Sequence, residues 1–237
     1  MRGRLVGAGV GPGDPELLTL KGLRVLREAD EVFVPVADTG EVGRAETTVR
    51  EYLDEGRIRR LLFALSDDRE ARERNWTNAA QEVSEHLRSG KTCAFATLGD
   101  PNLYSTFTYL ARAVREIEPD IEVETVPGIT ALQDLASRSG TVLLEADERL
   151  ALLPFTAGEE PLREALAGFE TVVCYKGGGR LGEVLRVAEE GGRLEGAVYG
   201  ARLGIEGEQV VPAQEMVGRE GTYLSAVIFT ERSTEFG

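Results

Sequence analysis

The stretch RLVGAGVGPGDPELLTLKGLRVLREADEVFVP, residues 4–35, decides the architecture of the chain. It opens with an apolar run from Arg4 to Val10 that reads as a strand and ends in glycines. Residues 15–29 follow with Leu17, Leu20, Leu23, Val25 and Leu26 at helical spacing; Asp14 is placed to cap and Pro15 suits a first turn. EVFVP (31–35) is a second strand, ended by Pro35. Strand, glycine turn, helix and strand make the repeating unit of a parallel sheet, because a parallel neighbour is reached only by a crossover. The rest of the first half repeats it. Helices over 43–55 and 69–89 flank IRRLLF (58–63), and KTCAFATL (91–98) is the nearly continuous apolar run of a strand buried on both faces. A helix from about Pro101 to Glu118 leads to IEVETV (121–126), closed by Pro127 and Gly128.

The second half reads differently. RLALLPF (149–155), TVVCYK (171–176), GAVYGARL (196–203), EQVVP (208–212) and TYLSAVIFT (222–230) are strands, several joined by short turn-rich pieces, and only 131–139 and 180–190 read as helices. A mixed sheet with antiparallel members fits there. The expected fold is therefore two α/β domains with a cleft between them: residues 1–128 with a mainly parallel sheet, and residues 129–237 with a mixed one.

Composition narrows the function. The chain has 237 residues, 42% of them hydrophobic, enough for packed cores. With 27 Lys and Arg against 41 Asp and Glu its net charge is −14, a poor balance for binding nucleic acid, whose affinity comes mostly from basic side chains. Cys93 and Cys174 sit in apolar runs and are too few for a disulfide framework or a zinc site, which points to a reducing, cytoplasmic setting. No apolar stretch is long enough for a membrane span. No cluster has metal-ligand spacing, so no protein-bound metal is expected.

Two loops share one design. Gly9-Val10-Gly11-Pro12-Gly13-Asp14-Pro15 follows the first strand, and Leu98-Gly99-Asp100-Pro101 follows the buried strand at 91–98. Each passes through Gly-Asp-Pro toward a helix, with glycine for close backbone approach, aspartate for the cap and proline for the first helical φ. In an open α/β sheet ligands bind at the carboxyl ends of strands, so both loops are expected to face one crevice, with helix N-termini offering free N–H groups. No Gly-Lys-Ser/Thr follows, and a dinucleotide fingerprint started at Gly7 puts Pro12 where its last glycine belongs, which disfavours both common phosphate loops.

These residues resemble a known family. Residues 9–35, LGDPNLYST (98–106) and VPGIT (126–130) together are similar to the tetrapyrrole methylases of cobalamin and sirohaem synthesis. DERLALLPFTAG (147–158), TVVCYKGGGRLGEVL (171–185), YGARLGIEGEQVV (199–211) and YLSAVIF (223–229) extend the resemblance over essentially the whole chain, and it is nearest the branch that methylates C20 of precorrin-2 or cobalt-factor II. The resemblance implies a homodimer that holds S-adenosylmethionine (SAM) between its domains and a tetrapyrrole, the small-molecule partner, over a trough in the N-terminal domain. Carried over position by position, it implies that Pro12 borders cofactor and trough, that Leu98, Gly99, Asp100 and Leu103 meet the methionine part, and that Thr130 and Ala131 approach the same cofactor. Tyr175, Lys176, Ala201, Arg202, Leu203, Ser225, Ala226 and Val227 would wall the adenosine. The run Lys176 to Gly179 carries more glycine than the family leads one to expect.

Methyl transfer from a sulfonium to an electron-rich ring carbon needs alignment more than a catalytic triad, which the single histidine largely rules out. Asp100 and Tyr104 are the candidate polar residues, Asp100 being equally suited to a helix cap. His86, in SEHLR, reads as a solvated face residue, and Trp76 as packing for a helix. Arg57, Arg59 and Arg60, with Arg69, Arg72 and Arg74, read as solvated faces that can also hold the carboxylates of a tetrapyrrole. Two other readings stay open: another methyltransferase on the same scaffold, of the uroporphyrinogen-III, diphthine synthase or ribosomal-RNA type, and a tetrapyrrole-binding protein without turnover.

Overall fold

The computed structural model describes residues 3–38, 40–63 and 69–231, apart from the side chains of Arg69 and Ala71. The chain divides into two units, Met1–Thr130 and Ala131–Gly237. The first runs β1 (Arg4–Gly9), α1 (Leu20–Glu28), β2 (Glu31–Val36), α2 (Arg44–Arg50), β3 (Ile58–Leu62), α3 (Arg69–Arg88), β4 (Thr92–Thr97), α4 (Phe107–Ile117) and β5 (Glu122–Val126). Its sheet has the order β3-β2-β4-β1-β5 with every pair parallel. Both faces are covered, and this explains the unbroken apolar run of β4. Cys93 and Phe95 join Leu5 and Phe33 against α3 and α4, while Ala94 and Ala96 join Ala8, Val32 and Val34 against α1 and α2. Pro35 does not end β2, which runs on to Val36; pairing with β4 stops at Phe33, so the proline lies where only β3 is alongside.

The second unit runs α5 (Ala131–Ser139), β6 (Leu150–Pro154), α6 (Glu159–Gly168), β7 (Thr171–Tyr175), α7 (Leu181–Glu190), β8 (Val198–Ala201), β9 (Gln209–Pro212) and β10 (Ser225–Thr230). The sheet order is β6-β7-β10-β8-β9; β6 and β7 are parallel and the other pairs antiparallel, the mixed sheet expected. One helix escaped the sequence reading. In α6, EEPLREALAG, Pro161 sits in the first turn, where its missing N–H breaks no helical bond, and Leu162, Ala165 and Leu166 are buried at i, i+3 and i+4. Among the described residues no helix is long and apolar enough to cross a membrane.

Two buried carboxylates tie the first unit together. Glu46, almost fully buried, accepts from Arg60 at 2.8 Å and Arg50 at 2.7 Å, and also from the Gly43 N–H at the start of α2. Glu31 meets Arg59 at 2.6 Å and Lys91 at 2.7 Å. Burial pushes both carboxyls up, but the cationic partners outweigh it, holding Glu31 at about 2 and Glu46 below its ordinary value. Because the folded values are depressed, this stability is present above the unfolded carboxylate range of about 4.3 and is lost as pH falls through the folded ones. Glu46→Gln leaves two guanidinium groups against a neutral amide and is expected to lower stability by about 3 kcal/mol at pH 7. Urea denaturation across pH 2–7 checks it, the difference from the unaltered protein narrowing toward the acid end.

Candidate functional site

In the first unit the loops after β1, β4 and β5 close on one another. The Val10 N–H donates to Thr97 O at 2.9 Å and the Gly99 N–H to Gly11 O at 2.7 Å, which links the two glycine loops by an isolated bridge. A Cβ on Gly9 would stand 2.5 Å from Gly99 O and 2.6 Å from Gly128 N; one on Gly128 would stand 2.1 Å from Gly99 O. Main chain packs on main chain there, and only glycine permits it. Gly99 itself, at φ +69°, faces open space, since a Cβ there would meet nothing within 4 Å. The two turns lie side by side, as the sequence suggested.

Asp100 ties the loop after β4 to the loop after β5. Its Oδ1 accepts the Asn102 N–H at 2.8 Å and its Oδ2 accepts the Gly128 N–H at 3.0 Å. Asp14 caps and Pro15 opens a short 3-10 turn, Pro15–Leu17, as expected, but neither Gly-Asp-Pro turn runs into an α-helix. Asp14 accepts the Glu16 N–H just as Asp100 accepts that of Asn102, and such i+2 bonds compete with helix formation. The helices begin further on, α1 capped by Thr19, whose Oγ1 accepts the Gly22 N–H, and α4 with Ser105 Oγ accepting the Phe107 N–H. The helix ends foreseen as anion sites at the two loops are therefore displaced along the chain and capped by side chains. Around them Pro12 is buried, Leu98, Leu103 and Thr130 are half-buried, and Tyr104 is 44% exposed.

The second unit gathers its expected residues at one end of the three inner strands of its sheet. Tyr175 ends β7, Ala201 ends β8 and Ser225 begins β10, paired as Tyr175 with Ala226 and Ala201 with Ser225. The N-terminus of α5, which starts at Ala131, reaches the same strand ends: the Leu132 N–H donates to Tyr175 Oη at 2.7 Å. Ala201, Leu203, Ala226 and Val227 are core residues, which leaves Tyr175, Lys176, Arg202 and Ser225 as the accessible members. The glycine-rich run has a local reason. A Cβ on Gly178 would stand 1.7 Å from Thr222 O, so this glycine lets the segment before β10 lie directly on the loop after β7. Ser225 Oγ donates to the same carbonyl at 2.8 Å and the buried Tyr199 hydroxyl accepts the Thr222 N–H at 3.2 Å.

One feature of both units escaped the sequence reading. Four non-glycine residues among those described have positive φ, and three of them are Tyr104 (51°), Lys176 (58°) and Arg202 (54°). Such conformations cost about 1–3 kcal/mol each and collect at functional sites. The fourth, Ala146, lies in the loop before β6.

The sequence model of the tetrapyrrole (corrin/porphyrin) methylases matches residues 4–216. The chain belongs to the tetrapyrrole methylases. A precorrin-2 C(20)-methyltransferase of a Sinorhizobium species is 33% identical to it over 235 residues, covering 95% of this chain and 94% of that protein. The cobalt-precorrin-2 C(20)-methyltransferase of Salmonella typhimurium is 31% identical, covering 88% and 87%. The same fold is seen in the crystal structure of uroporphyrin-III C-methyl transferase from Thermus thermophilus complexed with S-adenyl homocysteine, at a TM-score of 0.65 and 22% identity, covering 96% and 97% of the two chains.

In this methylase the arginine-rich stretch at 57–60 is already engaged. Arg57 donates to the carbonyls of Arg27 and Ala29, Arg59 pairs with Glu31 and Arg60 with Glu46, so none of them is free to hold a substrate carboxylate. Arg74 lies 3.5 Å from Glu70, and the side chain of Arg69 is outside the described residues. His86 is not a solvated face residue: it is largely buried, with Nδ1 3.3 Å from Glu31 and its ring edge-on to Phe33 at 5.7 Å. Trp76 packs as expected, stacked on Tyr109 at 4.5 Å over the α3–α4 core. Burial pushes the thiols of Cys93 and Cys174 up to about 12, which makes both inert.

Proposed function

We propose that this methylase transfers a methyl group from SAM to C20 of precorrin-2 or of its cobalt-containing counterpart, cobalt-factor II, working as a homodimer in the cytoplasm. The observation that carries the reading is the main-chain cradle of Gly9, Gly11, Gly99 and Gly128, tied by Asp100 and open at Gly99. It suits a ligand held by shape and main-chain hydrogen bonds, and it carries no lysine of the kind that clamps a nucleotide phosphate. The choice of carbon rests on relatives named for C20 over nearly the whole chain, and the choice of SAM on the family and on the neighbour complexed with S-adenyl homocysteine.

When bound, SAM supplies a methyl group whose bond to sulfur breaks as the ring carbon attacks in line, the C20 proton leaving afterwards. The chain's own work is to hold and align. Leu98 to Asp100 and Leu103 form the wall of the cradle, with Thr130 beyond the Gly128 turn. Tyr175, Lys176, Arg202 and Ser225 present the adenosine-side surface, and the strained backbone at Tyr104, Lys176 and Arg202 fixes where their groups point. Asp100 acts through Gly128 and Asn102 as a positioning residue, and Tyr104, 44% exposed, is the polar side chain that faces the substrate. Orientation of this kind supplies several kcal/mol without a nucleophile or a triad.

Calorimetry with S-adenosylhomocysteine is expected to give one site per chain. Anaerobic turnover with precorrin-2 and cobalt-factor II side by side, read by mass spectrometry, is expected to add one methyl at C20. Absence of S-adenosylhomocysteine binding, or a methyl on another carbon, sinks the proposal. Light scattering reads the assembly, expected at twice the chain mass.

A further inference from the structure

We propose that the groove between α4 and β5 is a carboxylate-binding site, in which Arg112 and Arg115 hold acid side chains of the tetrapyrrole; this rests on the function proposed above. A protein of net charge −14 that holds a polycarboxylate needs guanidinium groups not already spent on its own acids. Most of the described arginines fail that condition: besides those at 57–60, Arg88 meets Glu118, Arg163 and Arg186 meet Glu190, and Arg180 meets Glu183. Arg112 and Arg115 meet it. They are exposed, and among the described residues neither has an ion pair or a side-chain hydrogen bond.

Their placement gives this freedom a use. Three residues apart on α4, they share a face with Thr108, and that face and the edge strand β5 enclose a groove of about 530 Å³. Its size falls in the range of ligand pockets, about 300–1,000 Å³. Asn102, Thr108 and Thr125 add an amide and two hydroxyls at one end, and Glu116 stands at the other, one turn from Arg112 yet beyond ion-pair distance. The groove opens beside the cradle. The Asn102 main-chain N–H donates to Asp100 and its side-chain amide donates to Thr125 Oγ1 at 3.2 Å, so the groove begins two residues from the loop assigned to the methyl donor. A ring presented to that loop can extend its acid arms along α4, where each guanidinium offers a two-pronged fit to a carboxylate.

The double variant Arg112→Gln/Arg115→Gln tests this, with Arg219→Gln, an exposed arginine of the other unit whose side chain has no partner among the described residues, as control. The double variant is expected to raise KM for the tetrapyrrole 10–100-fold with kcat falling less than threefold. Its affinity for S-adenosylhomocysteine stays within twofold, and Arg112→Lys/Arg115→Lys recovers part of the loss. The control is expected to change none of these. An unchanged KM in the double variant, with S-adenosylhomocysteine still bound, overturns the groove and leaves the methyltransferase reading intact. Absence of methyl transfer by the unaltered protein overturns both. Uroporphyrin, a stable tetrapyrrole with eight carboxylates, gives a readout without turnover. Its dissociation constant, followed by the Soret shift, is expected to rise at least 10-fold in the double variant and to rise with salt less steeply than in the unaltered protein; equal constants count against the groove.

Discussion

Gly128→Ala is expected to abolish measurable S-adenosylhomocysteine binding and to lower stability by about 3 kcal/mol, the upper end of what overpacking costs. The added methyl would stand 2.1 Å from Gly99 O and 2.7 Å from the Gly9 Cα. Gly9 is the last residue of β1 and Gly99 lies two residues past the end of β4, its parallel neighbour, so neither can yield without dragging a ladder of hydrogen bonds. A flexible side chain would swing aside; a carbonyl at a strand end does not. The displacement would also carry the Gly128 N–H away from Asp100, undoing the tie that holds the β4 loop in place. Gly182→Ala is the matched control: it lies in the first turn of α7 with nothing within 4 Å of a Cβ, and helix propensity makes the change neutral or stabilising. Urea denaturation and calorimetry on the two variants separate a local collision from a general intolerance of alanine. A Gly128→Ala protein with normal affinity would mean that the three loops do not meet as described.

How far the sequence reveals this site differs from residue to residue. The parallel sheet is legible because β4 has to be apolar on both faces, and TCAFAT has no polar alternation. The approach of the glycine loops follows from the rule that ligand loops gather at strand ends, and the mixed second sheet from the short turns between its strands. What escaped is tertiary. An aspartate followed by proline fits a helix cap and an i+2 turn equally well, and only the extended backbone at Leu18 shows that α1 starts afresh at Leu20. Arg59 and Arg60 look solvated because Glu31 and Glu46 lie 28 and 14 residues away in sequence. The left-handed backbone at Lys176 and Arg202 arises where β7 and β8 end against the segment leading into β10, and no propensity marks it. α6 was hidden by a proline whose position in the helix cannot be known before the helix start is.

Asp100→Asn is expected to lower kcat/KM for methyl transfer at least 100-fold, about 2.7 kcal/mol, while the fold persists. The wild-type carboxylate accepts two main-chain N–H groups from different loops, one at each oxygen. An asparagine has a single acceptor oxygen, so whichever way its amide turns, one of those N–H groups faces an NH₂. Leaving such a donor unsatisfied costs about 1–3 kcal/mol, and the loss falls on the orientation of the loop rather than on a global core. The pH dependence distinguishes this from proton transfer. Were Asp100 the base that removes the C20 proton, its replacement would erase the acid limb of the kcat/KM profile. A positioning residue lowers the whole profile and leaves the limb at the same pH. With both oxygens engaged by N–H donors, the second outcome is the expected one. Amide hydrogen exchange supplies a readout independent of catalysis: the Gly128 and Asn102 amides are expected to lose protection in the variant while the amides of β4 keep theirs. Asp100→Glu restores the charge but sets the carboxylate one methylene too far along, so it is expected to recover little of the rate, which separates a need for placement from a need for charge.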